Sequence, residues 1–383
     1  MNQTKRKKQI EGQMAHLGYD FDLLKEVLGL EETVLSKYLT GRTYPKELSY
    51  QTFLMYLELD VQDYGFRVAS SEMRFETSKL FRIKKERIKP LVKSGYQLFL
   101  SLFKKSEIST KDVFLSYQIE KDVIIEPVLF KRVLYGLLTL SILNVILSNL
   151  LVLTPLLISS IVPLVFLVYL YELEKKDLGV IHLLLITPLG GILSIGLTHL
   201  IRELTGYPAG LTGDVVTGLV EEGAKLLVVF GLLRYFKIKH VYQALLIGFA
   251  VGAGFDILET AEYGLNALFS DNGSYRQMIE TLLLRSVFAL GIGHHFWTMT
   301  LAVILHNAKK FEVIEFKALI QPPVIFAYVF VSLFHALWNS GILGLFYLLQ
   351  LVVGFVLFVL VVDNVRAHIK PKEIKEEVSH YVS

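Results

Sequence analysis

The chain has 383 residues, is 53% hydrophobic and 20% charged, and has a mean hydropathy of +0.49, too apolar for an ordinary soluble protein and too charged for a pure membrane bundle. Residues 1–125 hold 21 of the 39 Lys/Arg and 17 of the 36 Asp/Glu, so a polar N-terminal region precedes a membrane-embedded remainder. The absence of cysteine excludes disulfides, thiol catalysis and thiolate metal ligation, and leaves His, Asp, Glu or Asn to hold any metal.

The basic start MNQTKRKKQIEGQ has no apolar core behind it and does not read as a cleavable signal peptide. Residues 1–125 are therefore expected to form a cytoplasmic helical domain. Within residues 15–60, FDLLKEVLGLEETVLSKYLTGRTYP (21–45) resembles the helix-turn-helix of the lambda-repressor-like family. Gly29 would permit the turn, Leu24, Val27, Leu30, Val34 and Leu35 would form the interhelical core, and Thr33, Ser36 and Lys37 would point outward. Glu31 and Glu32 open the would-be recognition helix, where carboxylates repel phosphates. A small helical domain without DNA binding is thus an equal reading. The basic run KLFRIKKERIKPLVK (79–93) would contact nucleic acid or anionic lipid, or simply be a solvated helical face near a membrane.

From residue 133 onward, eight stretches approach the roughly 20 residues that a helix needs to cross a bilayer: 133–153, 155–173, 179–201, 212–234, 241–268, 280–305, 323–340 and 342–363. Pro155 separates the first two, and Asn339-Ser340-Gly341 separates the last two into a hairpin, one long bent helix being the alternative. The predicted fold is an all-α polytopic bundle of about eight transmembrane helices behind a small cytoplasmic helical domain. Its parts are residues 1–125, an eight-span membrane domain over 126–370 and a cytoplasmic tail over 371–383. Lysines and arginines gather at 131–132, 175–176, 234–239, 309–317 and 366–375, while the alternate loops hold only Arg202 and Arg276. The positive-inside bias places both termini in the cytoplasm.

Charges inside spans are the informative residues, because each costs roughly 2.5–3.5 kcal/mol at mid-membrane on insertion scales. Span four carries Glu221, Glu222 and Lys225; span five Asp256, Glu259 and Glu262; span six Arg285, His294 and His295; span seven His335 and Asn339. Lys225 can reach Glu221 (i+4) or Glu222 (i+3), and adjacent glutamates diverge by about 100°, so one can pair with the lysine while the other faces a shared centre. Asp256, Glu259, Glu262 and Tyr263 lie on one side of span five, and His335 and Asn339 are one turn apart. Counting about 1.5 Å per residue puts Glu221 roughly 15 Å and His335 roughly 9 Å from the outer surface, a site in the outer half of the membrane.

EEGAK (221–225), FDILE (255–259), HHFWT (294–298) and HALWN (335–339), in that order, resemble the E-E-x-x-K, F-x-x-x-E and two histidine motifs of the PrsW family of intramembrane proteases. The family is distantly related to the CAAX-protease and bacteriocin-processing family. The resemblance covers about residues 160–365 and implies an intramembrane endopeptidase acting on membrane-anchored protein substrates. The family positions carried over are Glu221, Glu222, Lys225, Glu259, His294 and His335, with Asn339 where some relatives place Asp or Asn; His295 beside His294 departs from the pattern. The roles it implies are Glu221 as general base, Glu222 as its partner held by Lys225, and Glu259, His294 and His335 as metal ligands or water-orienting groups. Asn339 would donate to the oxyanion. Two histidines and a glutamate form an open zinc set; a metal-free glutamate/histidine mechanism uses the same side chains.

The bland readings are an intrahelical Glu222–Lys225 pair that lowers insertion cost and a Glu259/His335 polar pair that stabilises packing. Asp256 and Glu262 read as cavity-lining, His295, Trp297 and Trp338 as packing, and GFAVGAG (248–254) as close helix contact. Rival functions are a proton- or ion-coupled transporter and a membrane-tethered transcriptional regulator. Residues 1–125 would also serve to recruit DNA or a cytoplasmic regulatory protein while the membrane domain cleaves its substrate in regulated proteolysis, as PrsW-like proteases do with anti-sigma factors.

Overall fold

A computed structural model describes residues 2–66, 80–82, 128–147, 153–174, 178–206, 208–311, 313–341 and 346–382, and every regular element among them is helical. The chain divides into two units, residues 1–71 with 309–315 and residues 72–308 with 316–383.

The first unit holds α1 (Gln3–Leu17), α2 (Phe21–Leu28), α3 (Glu32–Leu39) and α4 (Leu48–Tyr56). Asn2 and Asp20 cap the first two helices by accepting from the N–H of Lys5 and Leu23, and left-handed Gly18 and Gly29 end them. Leu24 and Leu35 are fully buried and Leu30 and Val34 flank them, as expected, but Val27 is 45% exposed. Aromatic rings take its place: Tyr38, Tyr50, Phe53 and Tyr64 are buried around the same core. Thr33 and Ser36 do face solvent. Lys37 instead folds onto Glu47 at 2.5 Å and over the Tyr44 ring at 4.2 Å, so it is not a free outward cation. The hydrogen bond from Lys37 holds Glu47 below the usual carboxylate range. This contribution to stability is present above that range and is lost as pH falls through the lowered value. Residues 79–93 lie outside the described residues, apart from 80–82.

The second unit contains α5 (Leu129–Leu147), α6 (Leu153–Leu173), α7 (Val180–Thr205), α8 (Gly210–Tyr235), α9 (Val241–Phe269), α10 (Tyr275–Ile292), α11 (His294–Asn307), α12 (Pro322–Asn339) and α13 (Phe346–Val382). Among the described residues seven stretches are long and apolar enough to cross a membrane: α5, α6, α7, α9, the α10–α11 pair, α12 and α13. The remaining expected span is α8, whose 26 residues are long enough but which carries Glu221, Glu222 and Lys225 at its middle. The chain is a multi-pass membrane protein.

Helix α9 is the axis of the bundle, buried without interruption from Val241 to Asp256 and packed against α6, α7, α10 and α11. Its glycines make this packing possible, as the sequence suggested: a Cβ on Gly252 would lie 2.6 Å from the His294 carbonyl oxygen and from His295 Cα. Two other features refine the expected spans. The sixth is broken, with Gly293 in extended conformation between α10 and α11. The last two form the hairpin: Gly341 is left-handed (φ +64°), the Gln350 amide donates to the Phe334 carbonyl at 3.0 Å, and Tyr347 packs on Trp338. Helix α13 runs on to Val382, through the segment expected as a tail.

Candidate active site

The site begins with the docking of α8 on α12. Gly218 lets the two backbones close up, since a Cβ there would lie 2.2 Å from the Ser332 carbonyl, and Tyr328 donates its hydroxyl proton to the Leu219 carbonyl at 2.7 Å. One turn further along, Glu222 and Lys225 face the bundle interior, both at 0% exposure. Lys225 Nζ donates to Glu222 Oε1 at 2.8 Å, lies 3.6 Å from Glu221 Oε2, and sits 3.8 Å from the centre of the Phe255 ring. The helical spacing allowed either glutamate; the packing selects Glu222 as the close partner.

Glu222 is more than a counter-ion. The same Oε1 lies 3.1 Å from His294 Nδ1 and 3.1 Å from His335 Nδ1. With the Lys225 ammonium and the Asn339 amide nitrogen as donors, the ring protons can be assigned. Asn339 Nδ2, a donor, is 3.1 Å from His335 Nε2, so that nitrogen accepts and His335 Nδ1–H donates to Glu222. Lys225 Nζ is 2.7 Å from His294 Nδ1, so this nitrogen accepts and His294 Nε2–H points at Glu259 Oε2, 3.2 Å away. Three helices beyond α8 thus contribute to one hydrogen-bonded network: α9 through Glu259, α11 through His294 and α12 through His335 and Asn339.

Residues 179–363 match the family model described as the PrsW family of intramembrane metalloproteases. This part of the chain is a PrsW family domain. No curated protein and no solved structure matches the chain. The protein is accordingly a PrsW-like intramembrane protease, and the transporter reading falls away.

Within this PrsW domain all seven residues expected at the site converge. Among the described residues, two carboxylate/imidazole groups have ligand atoms within 4.8 Å of one another: Glu221, His294 and His335, and Asp256, Glu259 and His294. The expected trio of Glu259, His294 and His335 is therefore divided between them, with His294 shared. The donor set fits a divalent metal. Glu221 Oε2 is buried yet has no hydrogen-bond partner, and with two imidazoles it supplies the nitrogen and oxygen ligands such an ion takes. Above the network lies a cavity of about 40 Å³, lined by Glu259, Arg285, His294, His335, Asn339 and aromatic rings that include Trp297 and Trp338. At roughly 10–15 Å³ per water it has room for a few water molecules.

Other expectations sort by position. His294, not His295, joins the network; His295 packs against Phe249 and Phe296 with Nδ1 2.8 Å from Asp256 Oδ2. Asp256 lines the cavity as expected, whereas Glu262 is exposed, because six residues on from Asp256 the helix has turned by about 240°. The helix break that starts α11 at His294 was missed; Gly291-Ile292-Gly293 was the available signal. Arg285 was noted without a role, yet its Nη2 lies 2.7 Å from Glu259 Oε2.

Proposed function

We propose that the PrsW domain hydrolyses a peptide bond of a membrane-anchored protein substrate, with Glu221 as general base in a site in the outer half of the membrane and both chain termini in the cytoplasm. The observation that carries the assignment is the difference among the three glutamates. Glu222 is anchored through Oε1 beside Lys225 and both imidazoles, only its Oε2 being without a hydrogen bond, and Glu259 through Oε2 to Arg285 and His294; among the described residues Glu221 Oε2, 3.9 Å from His335 Nε2 and 3.6 Å from Lys225 Nζ, is buried and makes no hydrogen bond.

Glu221 takes a proton from water as the water oxygen attacks the scissile carbonyl carbon, and returns it to the departing amine as the C–N bond breaks. Glu222 keeps Lys225 and the two rings in register. One Asn339 amide hydrogen is directed at His335, and the second is available to the developing oxyanion. Alternatively Glu221, His294 and His335 would together hold a divalent ion, zinc being the natural fit to two imidazoles and a carboxylate; Glu221 would then serve as a ligand instead of the base, and the ion would lower the pKa of water and polarise the carbonyl. Residues 1–125 would recruit a regulatory partner, DNA or protein, and so couple cleavage to a signal.

The test is cleavage of a co-expressed single-span candidate substrate. Glu221→Gln is expected to lower kcat/KM by about 10²- to 10⁴-fold, the contribution of a positioned proton-transfer group; undiminished processing would remove the base assignment. Metal content is a separate measurement. Purified protein is expected to carry about one zinc ion, lost with activity on chelation and absent in His335→Ala; full activity of metal-free protein would favour the glutamate/histidine mechanism.

A further inference from the structure

The mechanism above leaves Arg285, a charged residue of the cavity wall, without a task. Arg285 is a guanidinium inside an apolar helix, a placement that costs several kcal/mol unless it has a function or a partner. Helix α10 is seated for it: at Gly264 the backbone of α9 comes so near α10 that a Cβ would lie 2.7 Å from Leu282 Cδ2. One turn on from Leu282, Arg285 lies across three consecutive features of α9. Its Nη2 donates to Glu259 Oε2 at 2.7 Å, its Nε to Thr260 Oγ1 at 3.2 Å, and its guanidinium carbon sits 3.9 Å from the centre of the Tyr263 ring. A planar fork held at three points has little rotamer freedom left. The oxygen it holds, Glu259 Oε2, is the one that faces His294 Nε2.

We propose that Arg285 is a positioning residue for hydrolysis. It pins the Glu259 carboxylate against His294 Nε2–H, and thereby keeps His294 Nδ1 turned toward Lys225, Glu222 and His335. This is the carboxylate–histidine arrangement that orients a catalytic or metal-bound imidazole, with the arginine one step further out. The inference rests on the hydrolytic reading of the same centre.

The experiment uses the full-length protein in detergent or nanodiscs with the substrate of the preceding test. Arg285→Gln is expected to lower kcat about 10- to 100-fold, the range seen for outer partners of functional histidines, with KM within about twofold. Arg285→Lys, which keeps the charge but not the fork, is expected to recover part of the loss. In a Glu259→Gln background Arg285→Gln is expected to add less than about threefold, since residues acting through one contact are not additive. Ring ¹⁵N shifts of His294 should report the Nε2–H tautomer in the wild type and a mixture in Arg285→Gln, whether or not residual activity is measurable. A raised KM with unchanged kcat would make Arg285 a substrate contact, and an unaltered His294 tautomer in a slowed Arg285→Gln would place its effect elsewhere; either overturns the proposal. Wild-type rates in Glu221→Gln would count against the hydrolytic reading and leave the tautomer result to decide the role of Arg285.

Discussion

Replacing Glu222 with leucine is expected to abolish cleavage and to destabilise the membrane domain by about 3–5 kcal/mol, the cost of leaving a buried charge without its partner. Lys225 is fully buried, its side chain at 0% exposure, and its nearest anionic oxygen is Glu222 Oε1 at 2.8 Å. Without Glu222 the ammonium has Glu221 at 3.6 Å, and His335 Nδ1–H loses its acceptor. The informative comparison is the double replacement Glu222→Leu with Lys225→Met. Removing both charges replaces an ion pair with apolar groups of similar size, a change that is often neutral or stabilising. The double variant is expected to regain most of the lost thermal stability in detergent while remaining inactive. A single variant as stable as the wild type would mean that the pair contributes nothing to the fold. An active double variant would remove Glu222 and Lys225 from the chemistry.

The second large effect is expected where no charged group is touched. Gly252→Ala should lower kcat/KM by about 10²-fold or more, with KM changed less than kcat. The added methyl would lie 2.6 Å from the His294 carbonyl oxygen and His295 Cα and 2.8 Å from the His294 carbonyl carbon. All of these belong to backbone that has no rotamer with which to move aside. The first turn of α11 must shift instead, and His294 with it; a displacement of about 1 Å at a catalytic group costs on the order of 10²-fold. Gly231→Ala is the control, because nothing lies within 4 Å of a Cβ there, and alanine is the better helix former by roughly 1 kcal/mol. It should leave the rate nearly unchanged and raise stability by up to about 1 kcal/mol. Full activity in Gly252→Ala would show that α11 can be displaced without moving the functional imidazole.

The contacts that lie along one helix were readable from spacing. Glu222 and Lys225 are three positions apart and His335 and Asn339 four, and both pairs touch, at 2.8 and 3.1 Å. The same spacing argument failed for Glu262, which the helical turn carries away from Asp256 and Glu259 to an exposed face. It was silent on Arg285, because the contact with Glu259 joins α10 to α9 across 26 positions of chain. In the N-terminal unit, apolar periodicity placed Leu24 and Leu35 in the core. It misplaced Val27, since the tyrosines that fill the core come from α3, α4 and the turn at Tyr64.

The sequence by itself determined the division into a polar region and apolar spans, the restriction of ligands to carboxylates and imidazoles, and the order of the family motifs. All of these follow from composition and local spacing. Only the tertiary structure decided which carboxylate lies between the two histidines, which is left without a hydrogen bond, and that His294 rather than His295 faces them. Those outcomes depend on how α8, α9, α11 and α12 are rotated and how closely they approach. The rotation is set by backbone contacts at Gly218 and Gly252 with helices far away in the chain, and no periodicity within a single helix encodes it.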